Sequence, residues 1–253
     1  MRFASLGSGS KGNALVVESG RTRILIDCGF GPRELAARLA RLGLAPEDLD
    51  AILVTHEHSD HVGGVARAAS RFSLSVHMSH GTCTAADLAG QVEVGLFDSH
   101  TAFSLGDLQI QPFPVPHDAR EPTQFVVGNG QWRLGVLTDA GCVTPHMVEM
   151  LDGCDGLVLE CNHDADMLRN GSYPWSLKQR VGGRLGHLDN AAAASLLEQI
   201  DRRQLQHVVA AHLSEQNNTA DLARAALSGV LGCSARDVAV ASQLHGFDWR
   251  QLC

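Results

Sequence analysis

Short runs of apolar, largely β-branched residues recur along the chain, and each run is four to eight residues long. The runs lie at residues 13–18, 22–27, 51–55, 72–78, 108–115, 124–127, 133–138, 156–160, 207–212 and 238–241. Runs of this length and composition are typical of buried strands. Between them, apolar residues at helical spacing predict helices at 32–42, 62–71, 189–200 and 219–231, with Asp189 as a candidate N-cap. The sequence therefore predicts a mixed α/β fold.

The 253 residues contain no internal repeat, low-complexity segment or long linker, so we expect one domain that spans 1–253. No stretch approaches the roughly eighteen apolar residues of a membrane span, and the N-terminus lacks a secretory apolar run. We therefore expect a soluble, cytoplasmic protein without a membrane partner, whose oligomeric state stays open. Seven cysteines stand singly, which argues against both a disulfide framework and a zinc ribbon.

The segment THEHSDH (55–61) places four metal-ligand side chains in six positions directly after an apolar run. In an extended backbone, residues two apart project to the same side, so His56 and His58 can bind one cation together. The chain then turns, and Asp60 with His61 can reach a second cation. Imidazole and carboxylate ligands suit Zn²⁺, with Mn²⁺ or Fe²⁺ as alternatives. We expect two divalent metal ions here, and a polar turn with surface histidines is the alternative.

Ionisable residues also stand at the ends of predicted strands. They are Asp27, His56, Asp139, Glu160 and His212. The carboxyl ends of strands in α/β sheets commonly gather ligands along one rim. His117, Asp139 and His212 are therefore candidates to complete a two-metal centre. Each of them alone also fits a structural role, because Asp after a strand is a common turn former.

The whole series of residues resembles the motifs of the metallo-β-lactamase superfamily over nearly the full chain. The series is His56-x-His58-x-Asp60-His61, then His117, Asp139 and His212, with Asp27 ahead of them in LIDCG (25–29). Further segments resemble the YycJ (WalJ) branch, namely SGSKGN (8–13), ECNHD (160–164), YPWS (173–176), GHLDN (186–190) and HLSEQNN (212–218). That branch is similar to ribonuclease Z and to PhnP-type phosphodiesterases. The resemblance implies an α/β (α+β) fold, an αββα four-layer sandwich of two mixed sheets flanked by helices.

The resemblance also implies a role for each matching residue. One metal ion is expected at His56, His58 and His117 and the other at Asp60, His61 and His212, with Asp139 bridging. Asp27 is expected to orient one of the metal-binding side chains without contacting the metal ion itself. His187 matches an extra histidine that phosphodiesterases of this superfamily use, which favours phosphate esters over lactams. The implied catalytic residues are Asp60 and His187, which would act with a metal-bridging hydroxide that attacks phosphorus in line; Glu160 is a candidate to orient His187.

A basic and aromatic stretch from Met167 to Leu188 contains no Asp or Glu, although the chain has a net charge of −8. It includes Arg169, Tyr173, Trp175, Lys178, Arg180 and Arg184. Cations interleaved with aromatic rings suit a phosphodiester backbone with stacked bases. Surface cations that extend over a helix would produce the same pattern. Asn162 and His163 are further candidates to line the pocket, and a capped turn would also explain them.

These observations predict a dinuclear-metal phosphodiesterase, and more specifically a nuclease, a DNA exonuclease of the YycJ type. The negative net charge argues against binding of nucleic acid through a large positively charged surface, because such binding needs many Lys and Arg that face phosphates. Three alternatives stay open. They are a small-molecule cyclic phosphodiesterase, a thioester or lactam hydrolase on the same scaffold, and a metal-binding regulatory module without turnover.

Overall fold

Two seven-stranded mixed β-sheets form the framework of the protein, in a computed structural model that describes residues 1–88 and 90–253. The strands of the first sheet are β1 (Arg2–Gly7), β2 (Ala14–Ser19), β3 (Thr22–Ile26), β4 (Ala51–Leu53), β5 (Ser75–Ser79), β6 (Val94–Phe97) and β14 (Phe247–Gln251). Their order across the sheet is β14-β1-β2-β3-β4-β5-β6. The pairs from β3 to β6 are parallel, and the others are antiparallel.

The second sheet repeats this division into a parallel and an antiparallel half. Its strands are β7 (Phe103–Leu105), β8 (Leu108–Pro114), β9 (Thr123–Gly128), β10 (Arg133–Leu137), β11 (Gly156–Glu160), β12 (His207–Ala211) and β13 (Ala239–Val240). The order is β13-β12-β11-β10-β9-β8-β7. The strands from β10 to β13 are parallel, so their carboxyl ends meet at one edge of the sheet.

Helices cover the outer face of each sheet. They are α1 (Pro32–Ala40), α2 (Ser59–Val62), α3 (Val65–Phe72), α4 (His80–Ala85), α5 (Pro145–Leu151), α6 (Ala165–Asn170), α7 (Trp175–Val181), α8 (Asn190–Gln199) and α9 (Ala220–Leu231). Short 3₁₀ turns occupy Pro46–Asp48 and Ala235–Asp237. Apolar residues of α1 and α3 pack on the first sheet, and those of α5, α8 and α9 pack on the second. The layers therefore follow the order αββα, as the sequence predicts.

The core has three apolar layers, one between the sheets and one beneath the helices on each side. Neighbouring residues of one strand enter different layers: Val136 packs between the sheets, whereas Leu137 faces the helices of the second sheet. Ile24 and Leu25 divide in the same way on the first sheet. Strands buried on both faces need apolar side chains at successive positions. This requirement explains the near-continuous apolar runs of the sequence.

Each of the predicted apolar runs contains a strand, and three of the four predicted helices are present as single helices. The fourth, predicted at 62–71, is wrong as one helix because Gly63 and Gly64 separate α2 from α3. A Cβ at Gly64 would lie 1.8 Å from the carbonyl oxygen of Phe30, so only glycine permits this approach. The run predicted at 72–78 begins as a strand only at Ser75, because α3 continues to Phe72.

Four strands and four helices have no counterpart in the sequence prediction: β1, β6, β7, β14 and α4 to α7. Three of these strands lie at sheet edges, where fewer buried side chains are needed and the apolar pattern is weaker. The helices have six or seven residues, which is too short for a clear helical period.

Several smaller expectations also have an outcome. The Oδ1 atom of Asp189 accepts a hydrogen bond from the amide of Ala192 at 2.6 Å, which confirms the predicted N-cap of α8. All seven cysteines are free thiols. Within residues 1–88 and 90–253, none of the helices has both the length and the apolar character to cross a bilayer. The expectation of one domain over 1–253 stays a prediction.

Candidate metal centre and catalytic pocket

The candidate site lies where the carboxyl ends of the parallel strands of both sheets meet. Asp27 directly follows β3, and His56 follows β4 after two intervening residues. On the second sheet Asp139 follows β10, Glu160 ends β11, and His212 follows β12. The predicted rim of strand ends therefore exists, and it brings residues from both sheets to one place.

The segment from His56 to His61 wraps around this rim. His58 is the N-cap residue of α2, and its carbonyl accepts the amide of His61 at 2.9 Å. His56 and His61 are fully buried, whereas the side chain of His58 is 29% exposed. A single turn of helix thus presents Asp60 and His61 beside the two histidines that precede it.

Three histidines converge on one point of the site. The Nε2 atom of His56 lies 3.1 Å from Nδ1 of His58, and Nε2 of His117 lies 3.3 Å from the same atom. Together these residues offer ligand atoms that all lie within 4.8 Å of one another. The family resemblance implies the same three residues as ligands of one metal ion.

A second group of ligand atoms is formed by Asp60, His61 and His212, again within 4.8 Å of one another. The Oδ2 atom of Asp60 lies 3.4 Å from Nε2 of His61 and 3.6 Å from Nε2 of His212. Asp139 stands between the two groups: its Oδ2 atom lies 3.1 Å from Nε2 of His61, and its Oδ1 atom lies 3.9 Å from Nε2 of His117.

Oxygen atoms behind the site orient three of the four buried ligand histidines. The Nδ1 atom of His61 lies 2.7 Å from a carboxylate oxygen of Asp27, and Nδ1 of His117 lies 2.9 Å from the carbonyl of Gly186. The Nδ1 atom of His212 lies 3.0 Å from the carbonyl of Thr138. When a metal ion is bound, an imidazole whose Nδ1 donates its proton to such an oxygen turns an unprotonated Nε2 toward the centre.

Two residues of the rim adopt a left-handed backbone conformation that is unusual outside glycine. Asp27 has φ of 61° and His212 has φ of 54°. Each directly follows a strand, and the conformation turns the chain sharply so that the side chain points into the site. Such a conformation costs roughly 1–2 kcal/mol per residue. The hydrogen bonds of Asp27 to the amide and hydroxyl of Thr55 help to offset that cost.

The charges of the site are strongly coupled. Burial would raise the pKa of Asp60, but His61 and His212 outweigh it and lower that pKa to about 2. Burial would also raise the pKa of Asp139, and the same two imidazoles hold it well below its usual range. Burial, with neighbouring imidazoles, lowers the pKa of His56 and of His117, so these two stay neutral. Neutral imidazoles and ionised carboxylates are the forms that bind metal ions.

The donor set fits two divalent cations. Buried carboxylates and imidazole nitrogens that face one another at 3 to 4 Å, as in Asp139 and His61, would be costly without compensating positive charge. Without metal ions, protons on His61 and His212 supply that charge. Burial lowers the pKa of both imidazoles, but the neighbouring carboxylates outweigh it and raise the pKa, which favours the protonated form. A cation can take the place of those protons.

His187 lies beside this centre and is held by two carboxylates. Its Nδ1 atom lies 2.7 Å from Oε1 of Glu160 and 3.2 Å from Oδ1 of Asp139. Burial lowers the pKa of His187, but these carboxylates outweigh it and raise the pKa to about 10. The other oxygen of Glu160 accepts the amides of Ala140 and Leu188 at 2.8 and 3.3 Å. The Glu160 side chain, fully buried at the end of β11, is therefore fixed in place.

A pocket of about 320 Å³ opens over these residues. Its walls include Asp60, Asp139, Asn162, Tyr173, Arg180, His187 and His212. We call this cavity the catalytic pocket. Of the predicted substrate contacts, Asn162 and Tyr173 lie in its wall, whereas Arg169, Lys178 and His163 line a neighbouring cavity. The exposed side chain of Arg184 lies in the wall of neither pocket.

Sequence reasoning missed two polar residues at the centre. The Nδ2 atom of buried Asn13 lies 3.1 Å from Nε2 of His61 and 3.1 Å from Oδ2 of Asp60. Asp118 lies 3.5 Å from Nε2 of His117 through one oxygen and accepts from Nε of Arg180 at 2.6 Å through the other. The only signal for Asp118 is its position next to His117, and Asn13 appears only as the last residue of SGSKGN.

The sequence is similar to known proteins over most of its length. A family model described as "Beta-lactamase superfamily domain" matches residues 22–212. Exodeoxyribonuclease YycJ of Bacillus anthracis is 35% identical over 252 residues, which cover 98% of this chain and 96% of that protein. Exodeoxyribonuclease WalJ of Streptococcus pneumoniae serotype 2 (strain D39 / NCTC 7466) is 35% identical over 228 residues, 88% of this chain and 85% of that one.

A solved structure shows a similar fold. The metallo-β-lactamase fold protein YhfI from Bacillus subtilis superposes with a TM-score of 0.77, over 99% of each chain, at 16% sequence identity.

The range of 22–212 that the family model matches begins at β3 and ends on His212, so it contains every candidate ligand described above.

Proposed function

The chain belongs to the metallo-β-lactamase superfamily, and on that premise we propose that it is a two-metal phosphodiesterase, a DNA exonuclease of the YycJ type. Identity of 35% over nearly the full length of a named exodeoxyribonuclease supports the class of substrate. The proposal places one divalent cation among His56, His58 and His117 and a second among Asp60, His61 and His212, with Asp139 between them.

The observation that carries the phosphodiester assignment is the position of His187. Its Nδ1 atom is occupied by Glu160 and Asp139, and the ring lies in the wall of the catalytic pocket. Among the described residues no hydrogen bond involves its Nε2 atom, which therefore stays available to a substrate. A protonated imidazole at that point suits a phosphate ester, whose leaving oxygen needs a proton and whose phosphoryl oxygens carry negative charge.

Each residue then has a defined task in the reaction. When bound, two divalent cations supply positive charge to the phosphoryl oxygens and lower the pKa of a water molecule. Asp60 lies in the wall of the pocket, and its low pKa keeps it ionised, so it can accept a hydrogen bond from that water molecule and orient it. His187 donates its Nε2 proton to the leaving oxygen, and Glu160 keeps the ring in the orientation that this transfer requires. Asp27 fixes the ring of His61.

Zn²⁺ is the metal that the proposal favours, because imidazole nitrogens outnumber carboxylates in both groups. Mn²⁺ and Fe²⁺ accept the same ligands and are the alternatives to test. A cytoplasmic location is part of the same proposal.

A substrate panel tests the proposal. Purified protein is loaded with Zn²⁺ or Mn²⁺ and assayed on bis(p-nitrophenyl) phosphate, a cyclic nucleotide, a thioester, a lactam and end-labelled DNA. We expect stepwise shortening of DNA from one end and measurable release from the phosphate diester. Turnover of the thioester or lactam alone would overturn the phosphodiesterase assignment, and turnover of the cyclic nucleotide without cleavage of DNA would overturn the nuclease assignment.

A further inference from the structure

A second cavity borders helix α7, whose residues also line the catalytic pocket. It measures about 250 Å³ and is lined by His163, Leu168, Arg169, Trp175, Lys178 and Asp189, among others. We call it the α6–α7 pocket. We propose that it binds an unpaired nucleotide of the DNA strand whose scissile phosphate occupies the catalytic pocket. The inference rests on the nuclease function proposed above and adds a subsite to it.

Trp175 is the first reason for this assignment. It is the first residue of α7 and is 72% exposed, more than any other large apolar side chain that the structure describes. It is also the only aromatic residue in that exposed set, within residues 1–88 and 90–253. An exposed indole offers a flat face to which every base can stack, and such stacking tolerates any base sequence.

The charge of the pocket gives the second reason. Lys178 donates from Nζ to the carbonyl oxygen of Arg169 at 2.8 Å, and it has no carboxylate partner among the described residues. Arg169 forms an ion pair with Asp166 at 2.7 Å, on the exposed surface. The carboxylate of Asp189 is already engaged as the N-cap of α8. Among the described residues that line this pocket, Lys178 is therefore the cation without a carboxylate partner, and its charge suits a phosphate group.

Continuity with the catalytic pocket gives the third reason. Tyr173 lines the catalytic pocket, and Trp175, two residues further on, lines the α6–α7 pocket. Two residues of backbone span at most about 7 Å, so these two wall residues are close in the chain. Asn162 and His163 divide between the pockets in the same way. A strand held at the metal centre can therefore reach Trp175 with a base close to the scissile phosphate.

The test compares a long and a short substrate on the same variants. Holoenzyme is assayed on a short oligothymidylate and on bis(p-nitrophenyl) phosphate, and the measured quantity is the ratio of the two kcat/KM values. We expect Trp175→Ala to lower this ratio about tenfold, the scale of one lost base stack. Trp175→Phe should restore most of the ratio. Leu96→Ala, a change at another exposed apolar side chain, on β6, should leave the ratio as in the wild type.

A salt titration tests the role of Lys178. For Lys178→Gln we expect the slope of log(kcat/KM) on the oligonucleotide against log of salt concentration to become shallower by about 0.7, the value for one phosphate contact on a single strand. An unchanged slope would remove Lys178 from the subsite.

The outcomes separate this subsite from the nuclease function. If the wild type cleaves the oligonucleotide and Trp175→Ala keeps the wild-type ratio, the subsite is overturned and the nuclease function stands. If the wild type hydrolyses only the small diester, the nuclease function is overturned and the subsite falls with it. An effect of Trp175→Ala that appears on oligouridylate but not on oligothymidylate would overturn the assignment to DNA.

Discussion

The Nδ1 atom of His187 lies 2.7 Å from Oε1 of Glu160, a carboxylate that is fully buried at the end of β11. The other oxygen of the same carboxylate accepts two backbone amides. The sequence separation between the two residues is 27. A rigid strand end therefore fixes the orientation of an imidazole that faces the catalytic pocket.

Glu160→Gln should lower kcat on the phosphate diester by about tenfold, because a neutral amide orients the imidazole and stabilises its charge less well. In a His187→Ala background the same change should cost almost nothing, since Glu160 acts through His187. A double-mutant cycle measures this dependence. Equal losses in both backgrounds would show that Glu160 serves the fold and not the imidazole.

His187→Ala should keep both metal ions and cut phosphodiester turnover by roughly a hundredfold or more, the usual scale for a positioned acid. Elemental analysis of the purified variant measures the metals, and release of p-nitrophenol measures turnover. Turnover at the wild-type rate would remove His187 from catalysis.

His58→Ala should lose metal and activity together, because His58 Nδ1 lies within 3.3 Å of both other histidines of its group. His100→Ala is the matched control, since the His100 side chain is 69% exposed and lies outside all candidate ligand groups among the described residues. The proposed centre is wrong if His58→Ala retains full metal content or if metal-depleted protein keeps phosphodiesterase activity.

Asp27→Asn should weaken metal affinity by about 10- to 100-fold, the usual effect of removing the acceptor behind a ligand histidine. Asparagine tolerates the left-handed backbone at this position, where φ is 61°, so the change tests the hydrogen bond and not the turn. Competition with a chelator gives the affinity. Asp98→Asn, at an exposed carboxyl, should leave it unchanged.

Glu18 provides a test of stability far from the metal centre. Burial would raise the pKa of Glu18, but hydrogen bonds from Arg2 and Arg23 outweigh it and lower that pKa below its ordinary value of 4.5. A carboxyl with a lowered pKa in the folded state stabilises the protein above its unfolded-state pKa, and this contribution is lost as the pH falls through the folded-state pKa. Glu18→Gln should therefore destabilise the protein by about 1 kcal/mol at pH 7.

The difference between Glu18→Gln and the wild type should shrink as the pH falls below the ordinary pKa of a glutamate carboxyl and through the lower folded-state pKa. Urea unfolding at several pH values measures it. Glu149→Gln, at a side chain that is 79% exposed, should show no comparable loss at pH 7. A loss for Glu18→Gln that is independent of pH would contradict the ionic origin of the effect.

Some strands and helices of the protein can be predicted from the sequence, and others cannot. Interior strands such as β10 and β11 are predictable because both of their faces are buried and most of their positions are apolar. Edge strands such as β7 and β14 are not, since one side of each pairs with nothing in its sheet and the composition is less apolar. The break between α2 and α3 depends on a close approach to Phe30, which lies far away in the chain.

The sequence by itself was enough to predict metal-binding side chains at His56 to His61. These residues are neighbours in the chain, so their spacing alone brings them close together. The sequence also determined that Asp27, Asp139 and His212 follow buried strands. Only the tertiary structure decided which of these residues meet, since that depends on strand order across two sheets. The Nδ1 atom of His117 contacts the carbonyl of Gly186, 69 residues away in the chain. The backbone amide of His212 donates to the hydroxyl of Ser8, 204 residues away. The same packing placed Tyr173 and Trp175 in different pockets, although they are two residues apart.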